Sequence, residues 1–230
     1  MEIEQRKRAA AERAVEFIAD GMIVGLGSGS TARYATLRLG ALLRAGALRE
    51  IVAIPTSNET AALARAEGIP LADLQAYPVV DLTIDGADEV APDLNAIKGL
   101  GGFLLREKIV AYATRREIIV ADDSKLVTRL GTKSPVPVEV IRFGLGNTQR
   151  ALERTGAQPR LRLAADGPFL TDEGNYILDC RYPGGIDDPF ALRDAIHRIP
   201  GVVEDGLFLG LVHAAVIASA QGVTLIERQP

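Results

Sequence analysis

The residues of this chain that can do chemistry collect at the ends of apolar runs. The first group is "GLGSGST", in which Gly29 is flanked by Ser28, Ser30 and followed by Thr31. Glycines let a backbone turn tightly and approach a ligand, and a helix N-terminus after such a turn favours negative charge. The usual templates do not fit. A dinucleotide fingerprint would need its third glycine at Ser30, and a P-loop would need a lysine before Ser30 or Thr31. A single phosphate suits so short a cradle better than a pyrophosphate. A glycine turn with capping hydroxyls and no ligand accounts for the same residues equally well.

The second group, "DLTIDGADEV", sets Asp85 and Asp88 just beyond an apolar run, around Gly86 and Ala87. Carboxylates there can bind sugar hydroxyls, hold a metal or move protons; alternatively Asp85 merely stabilises an Asp-Gly bend. A hard-ion site needs more oxygens, and neither histidine is near in sequence, so no metal is expected. In "KGLGGFLLREK", Lys98 precedes a glycine loop whose N–H groups could receive developing oxyanion charge. Glu107 follows near the start of a helix, with Arg106 and Lys108 as its polar companions and Phe103, Leu104, Ile109 and Val110 as the buried side. A surface acid favoured by the helix dipole is the plain alternative for Glu107. Lys125, in "ADDSKLV", suits a phosphate or sugar hydroxyl, or is a solvated lysine. His197 and His213 sit in what reads as helical, apolar surroundings and are taken as structural, which argues against histidine acid–base catalysis. Cys180 reads as a core strand residue.

These groups need elements to position them. To about residue 130 the pattern alternates helix and strand: a helix at about 4–19, the strand "MIVGLG", a helix from about 31 to 45, then "IVAIPTS", "NETAALARAEG" and "PVVDLTIDGADEV". Short β-rich runs alternating with helices predict a Rossmann-like α/β domain with a parallel sheet covered on both faces. Ligands in such domains bind beyond the carboxyl ends of the strands, where "GLGSGST", "IPTSNET", "DGADE" and "ADDSK" all fall. From "GTKSPVPVEV" onward the order becomes β-α-β-β-α-β, including a hairpin "FLTDEGNYILDCRY" turning at "DEGN". That order predicts a smaller ferredoxin-like (split βαβ) α+β domain at 131–207. Residues 208–230 are expected to return to the first domain, 1–130.

Bulk properties narrow the function classes. The chain has 230 residues, 47% of them apolar and 24% charged, as in an ordinary globular protein. A net charge of −4 argues weakly against nucleic acid and anionic membranes as partners. No apolar run approaches the roughly 20 residues that span a bilayer. With one cysteine and a charged N-terminus lacking an apolar stretch, a cytoplasmic setting is expected.

In order and spacing, "GLGSGSTA", "IPTS", "DLTIDGADE", "KGLGGFLLREK" and "ADDSK" resemble the ribose-5-phosphate isomerase A family, as do "PVPVEV" and "TDEGNYILDC" in the second domain. The resemblance implies interconversion of D-ribose 5-phosphate and D-ribulose 5-phosphate, in the non-oxidative pentose phosphate pathway, without metal or organic cofactor. It implies that Glu107 is the general base moving a proton between C1 and C2. Substrate contacts then fall on Ser28, Gly29, Ser30 and Thr31, on Asp85, Gly86, Ala87 and Asp88, on Lys98, Gly99, Leu100 and Gly101, and on Lys125. Asp85 is the candidate for ring opening, with Asp88 and Lys98 orienting hydroxyls. Lys7 stands where the family can place a phosphate-binding lysine, and Leu100 replaces a glycine found in many members. A homodimer or homotetramer is implied, with the small domain at the subunit interface. Competing readings are an amino-sugar phosphate deaminase, which calls for a histidine in the site, and a non-catalytic sugar-phosphate sensor. The sensor would need a DNA-reading segment, for which one short helix before the first strand leaves no room.

Overall fold

In the computed structural model, which describes residues 2–228, the chain runs α1 (Ile3–Val15), β1 (Ile23–Leu26), α2 (Ala32–Arg44), β2 (Val52–Pro55), α3 (Asn58–Ala66) and β3 (Val80–Gly86). Then come β4 (Glu89–Val90), β5 (Ala96–Ile97), α4 (Leu104–Tyr112), β6 (Thr114–Asp122) and a 3-10 turn at Asp123–Lys125. After these lie β7 (Val136–Val140), α5 (Leu145–Glu153), β8 (Gln158–Leu161), β9 (Leu163–Ala164), β10 (Gly167–Pro168) and β11 (Tyr176–Arg181). The chain closes with α6 (Pro189–His197), β12 (Val202–Asp205), β13 (Leu207–Phe208), β14 (Ala214–Ser219) and β15 (Gly222–Glu227). Met1, Gln229 and Pro230, at the ends of the expected first domain, lie outside the described residues.

Two compact units result, one of residues 1–87, 106–125 and 210–230, the other of 88–105 and 126–209. The expected small domain, 131–207, falls inside the second unit, which also takes in 88–105, 126–130 and 208–209.

The first unit holds a six-stranded sheet in the order β15-β14-β6-β3-β1-β2. Every neighbouring pair is parallel except β14 with β15. Covering both faces makes the inner strands almost wholly apolar: Ile118, Ile119 and Val120 of β6 are fully buried. Helix α1 turns the small side chains of Ala10, Ala11 and Ala14 to the core, which lets its backbone lie close to the sheet. From β1 the chain crosses to β2 on one side and then back to β3 on the other. The point where strand order reverses therefore lies between the carboxyl ends of β1 and β3, where open α/β sheets bind ligands.

The second unit contains a four-stranded antiparallel sheet ordered β12-β7-β11-β8, carrying α5 and α6. Taking β7, β8, β11 and β12 as its four strands, this is the ferredoxin-like order. The expected hairpin is different in detail. Phe169–Thr171 is not a strand; Thr171 and Asn175 close a turn on themselves, and β11 pairs instead with β8. A small ribbon, β9 with β10, lies between them in sequence. A three-stranded sheet of very short strands, β13-β5-β4, was not expected at all. From its strand β4, the buried Glu89 accepts the backbone N–H groups of Gly131 and Lys133, both at 2.6 Å, and so shapes the turn before β7.

A second buried acid, Glu139 of β7, accepts hydrogen bonds from the Thr171 hydroxyl and the Asn175 amide, each at 2.9 Å. Burial pushes its carboxyl above the ordinary value of 4.5; those two hydrogen bonds pull it back, and the charges of Glu173 and Glu204 push it up again. A raised folded-state pKa contributes stability that is complete below the unfolded pKa and lost as pH rises through the folded value. Glu139→Gln is therefore expected to flatten the dependence of the unfolding midpoint on pH above about 4.5. Thermal melts across that range check this, and an unchanged slope would clear Glu139 as its source.

Candidate active site

In the first unit, the turn after β1 is held by what lies beneath it. Ser28 is buried, and its Oγ lies 2.9 Å from Thr56 Oγ1, 2.7 Å from Ser57 Oγ and 3.0 Å from Thr60 Oγ1. Its amide donates to Asp85 Oδ1 at 3.1 Å. Ser28 thus faces into a hydroxyl cluster at the end of β2, and its side chain anchors the turn. Beyond it Gly29 has φ +94, in the left-handed region that favours glycine. Gly29 and Ser30 are exposed, and Thr31 is partly exposed at the N-terminal boundary of α2 with no capping bond from its side chain. Among the described residues, the amides of Gly29, Ser30, Thr31 and Ala32 make no hydrogen bond within the chain. Unpartnered amides beside two hydroxyls at a helix N-terminus are groups that can receive an anion.

Asp85 lies 1% exposed at the end of β3. Its Oδ1 accepts the amides of Ser28 and Gly86, the latter at 2.7 Å, which ties the ends of β1 and β3 together. The close approach is possible only because residue 27 is glycine: a Cβ there would lie 2.1 Å from Asp85 Oδ1 and 2.5 Å from Asp85 Cα.

Glu107 occupies the first turn of α4 and is 4% exposed. It shares the buried stripe with Leu104, Val110 and Ala111, whereas Ile109 is 49% exposed. The expected grouping of Glu107 with a solvated polar set, and of Ile109 with the core, is thus corrected. Period 3.6 from Leu104 selects 107 and 111, not 106 and 109. An acid on the apolar face of a helix needs a reason beyond the helix dipole.

Lys125 ends the 3-10 turn after β6 and is partly exposed. Before it, burial pushes the Asp122 carboxyl up, but hydrogen bonds from the Ser124 hydroxyl and amide, with the charge of Lys125, leave it below the ordinary value. Lys7 of α1 pairs with Glu4 at 2.7 Å, and Glu4 also accepts the Tyr34 hydroxyl of α2 at 2.9 Å. That chain of contacts sets Lys7 one carboxylate away from the first turn of α2.

In the second unit, Asp88 Oδ2 accepts the Leu100 amide at 2.9 Å, so the acid and the glycine loop are one piece. Lys98 is 2% exposed; its amide donates to Gly206, and its ammonium lies 5.1 Å from the centre of the Phe208 ring. A cation over an aromatic face keeps part of its stabilisation without water. Gly99 is buried, while Leu100 and Gly101 are exposed. Arg162, just after β8 and held by Asp179 of β11, braces this loop; no sequence motif flagged either residue.

The histidines lie elsewhere. His213 is not helical: it precedes β14, is exposed, and accepts the Glu117 amide through Nδ1 at 3.0 Å. Burial and the Arg228 charge hold it below its ordinary pKa. His197 ends α6 and meets Glu204 and Asp205 of β12 at 3.1 and 2.9 Å, clamping helix to strand. These three could also present ligand atoms to a metal. Cys180 is buried, with its thiol pushed far up by burial, so it is no nucleophile. No helix among the described residues is long and apolar enough to cross a membrane.

The chain is similar to known proteins along nearly its whole length. The family model for ribose 5-phosphate isomerase A (phosphoriboisomerase A) matches residues 52–222. A ribose-5-phosphate isomerase A of Gloeobacter violaceus is 55% identical over 227 residues, covering 98% of this chain and 97% of that one. One of Roseiflexus castenholzii is 52% identical over 222 residues, covering 96% and 94%. A D-ribose-5-phosphate isomerase solved in complex with phospho-erythronic acid superposes with a TM-score of 0.97 at 40% identity, covering 99% of this chain and 100% of that one. The chain belongs to the ribose 5-phosphate isomerase A family.

Proposed function

We propose that this chain interconverts D-ribose 5-phosphate and D-ribulose 5-phosphate through an enediolate, with Glu107 as the proton carrier. The observation that carries the reading is the pairing, at one strand-order reversal, of an outward amide cradle with the buried Asp85. The cradle takes the 5-phosphate through the amides and hydroxyls of Ser30 and Thr31. Asp85 assists ring opening by moving the proton of the ring hemiacetal. Glu107 then removes the C2 proton: the C2–H pair becomes the C1–C2 double bond, and the carbonyl pair moves onto O1. The same carboxyl returns the proton to C1 while the proton of the C2 hydroxyl passes to O1, which leaves a ketone at C2 and a hydroxyl at C1. One group can serve both carbons because they lie on one face of a planar intermediate. Lys98 and the loop Gly99–Gly101 stabilise the enediolate oxygens, Asp88 orients hydroxyls, and Lys125 and Lys7 add positive charge for the phosphate.

Phospho-erythronic acid, the compound bound by the solved relative, supports the reading chemically. It joins a phosphate to a planar, negatively charged carboxylate, which shares planarity and oxygen-borne charge with an enediolate. A homodimer or homotetramer fits the large side chains Phe143 and Leu163 of the second unit, 89% and 69% exposed. A reducing cytoplasm suits a chain with a single thiol.

A coupled assay for ribulose 5-phosphate, run with a chelator present, tests the function: turnover is expected, and none would refute it. The cradle has its own test. Thr31→Ala should raise the apparent KM on the order of 10–100-fold, the worth of one hydrogen bond to a charged group, with kcat nearly unchanged. Steady-state kinetics decide, and an unaltered KM would take phosphate away from Thr31.

A further inference from the structure

We propose that Arg162 is a positioning residue for this reaction, acting through the peptide groups of the loop Gly99–Gly101. The inference rests on the reading that this loop holds the reacting end of the substrate.

Arg162 follows β8, and its side chain is only 12% exposed. One edge of the guanidinium is fixed side-on by Asp179 of β11: Nε donates to Oδ2 at 2.9 Å and Nη2 to Oδ1. The remaining nitrogen, Nη1, donates to two successive carbonyls, Gly99 at 3.0 Å and Leu100 at 2.9 Å. Phe169 lies with its ring centre 5.8 Å from the guanidinium carbon, and a Cβ on Gly102 would meet that ring at 2.4 Å. The loop is therefore packed from below by an aromatic ring and gripped from one side by a rigid fork.

The geometry of the peptide bond turns this grip into an orientation. In a trans peptide the carbonyl and the following N–H point in opposite directions. Turning the Gly99 carbonyl toward Arg162 points the Leu100 N–H away from it, and Asp88 Oδ2 accepts that N–H at 2.9 Å. Turning the Leu100 carbonyl toward Arg162 points the Gly101 N–H away in the same manner. Gly101 is exposed, and among the described residues its N–H makes no hydrogen bond within the chain. Of the two N–H groups that Arg162 orients, that of Gly101 is left as an aimed donor, which suits a sugar oxygen gaining charge in the enediolate. A cation behind both carbonyls also polarises those peptide groups, which strengthens the N–H groups as donors.

A lysine could not do this. Its single ammonium cannot hold a carboxylate side-on and reach two carbonyls together. The variants Arg162→Lys and Arg162→Ala separate positioning from folding. Both should lose kcat on the order of 10²-fold, the effect of misplacing a reacting group by about 1 Å. Apparent KM and the affinity for inorganic phosphate should stay near wild type, while affinity for phospho-erythronic acid falls about tenfold or more. Arg162→Lys should keep the wild-type unfolding midpoint without recovering kcat. If it recovers both, Arg162 is merely structural and the proposal fails. If neither variant folds, Asp179→Asn, which removes the side-on anchor alone, must show the same kcat loss or the proposal fails. Wild-type protein that does not isomerise ribose 5-phosphate would instead refute the functional reading beneath it.

Discussion

Replacing Glu107 with glutamine is expected to lower kcat for ribose 5-phosphate by roughly 10²–10⁴-fold, the usual contribution of a positioned acid–base group. The amide has the shape of the carboxylate but cannot accept and return a proton. Glu107 is 4% exposed on the buried stripe of α4, where an isosteric side chain disturbs packing least. KM and the affinity for phospho-erythronic acid should therefore stay within a few-fold of wild type, and the unfolding midpoint should move little. Coupled kinetics, ligand titration and a thermal melt on one preparation separate these effects. A glutamine variant with near-normal turnover would exclude Glu107 as the base, whatever its burial.

Adding one methyl group at Gly27 is expected to damage both stability and activity. The new Cβ would lie 2.3 Å from the Asp85 carboxyl carbon and 2.5 Å from its Cα, and the latter, as backbone, cannot swing aside. Forcing atoms into a filled site typically costs about 1–3 kcal/mol. At this chain length that lowers the midpoint by several degrees. Asp85 must move with the strand end that carries it, so kcat/KM should fall on the order of 10²-fold as well. Gly29→Ala is the control. There a Cβ meets nothing within 4 Å, and only the strain of φ +94 opposes the side chain. If Gly27→Ala melts like wild type, the close contact between β1 and β3 is not what holds Asp85.

The positions of the chemistry-bearing groups were legible because parallel strands buried on two faces leave long apolar runs with polar ends. Direction within a group was not. Ser28, Ser30 and Thr31 are the same kind of residue, yet Ser28 turns inward to Thr56, Ser57 and Thr60 while the other two face out. What turns Ser28 inward is a set of hydroxyls at Thr56, Ser57 and Thr60, distant in sequence. His213 was misplaced because "LVHAAVIASA" is apolar throughout, and such a run has no period that distinguishes strand from helix. The two-residue strands β4, β5 and β13 are too short to carry any pattern. Arg162 gave no signal in "PRLRLA", since its importance comes from Gly99 and Asp179, neither of them its neighbour in sequence.

The strand order of the six-stranded sheet has a consequence for synthesis on the ribosome. β14 pairs with β6 along Ile118–Asp122, but about ninety residues separate the two in the chain, and β14 lies almost at its end. Until residues 214–227 leave the exit tunnel, β6 offers its backbone N–H and C=O groups along an unpaired border. Bare strand borders recruit other chains, and late long-range pairing is slow. Newly made copies should thus be most aggregation-prone while β6 is exposed and β14 has yet to emerge, and holding chaperones should crosslink most strongly to arrested chains in that window.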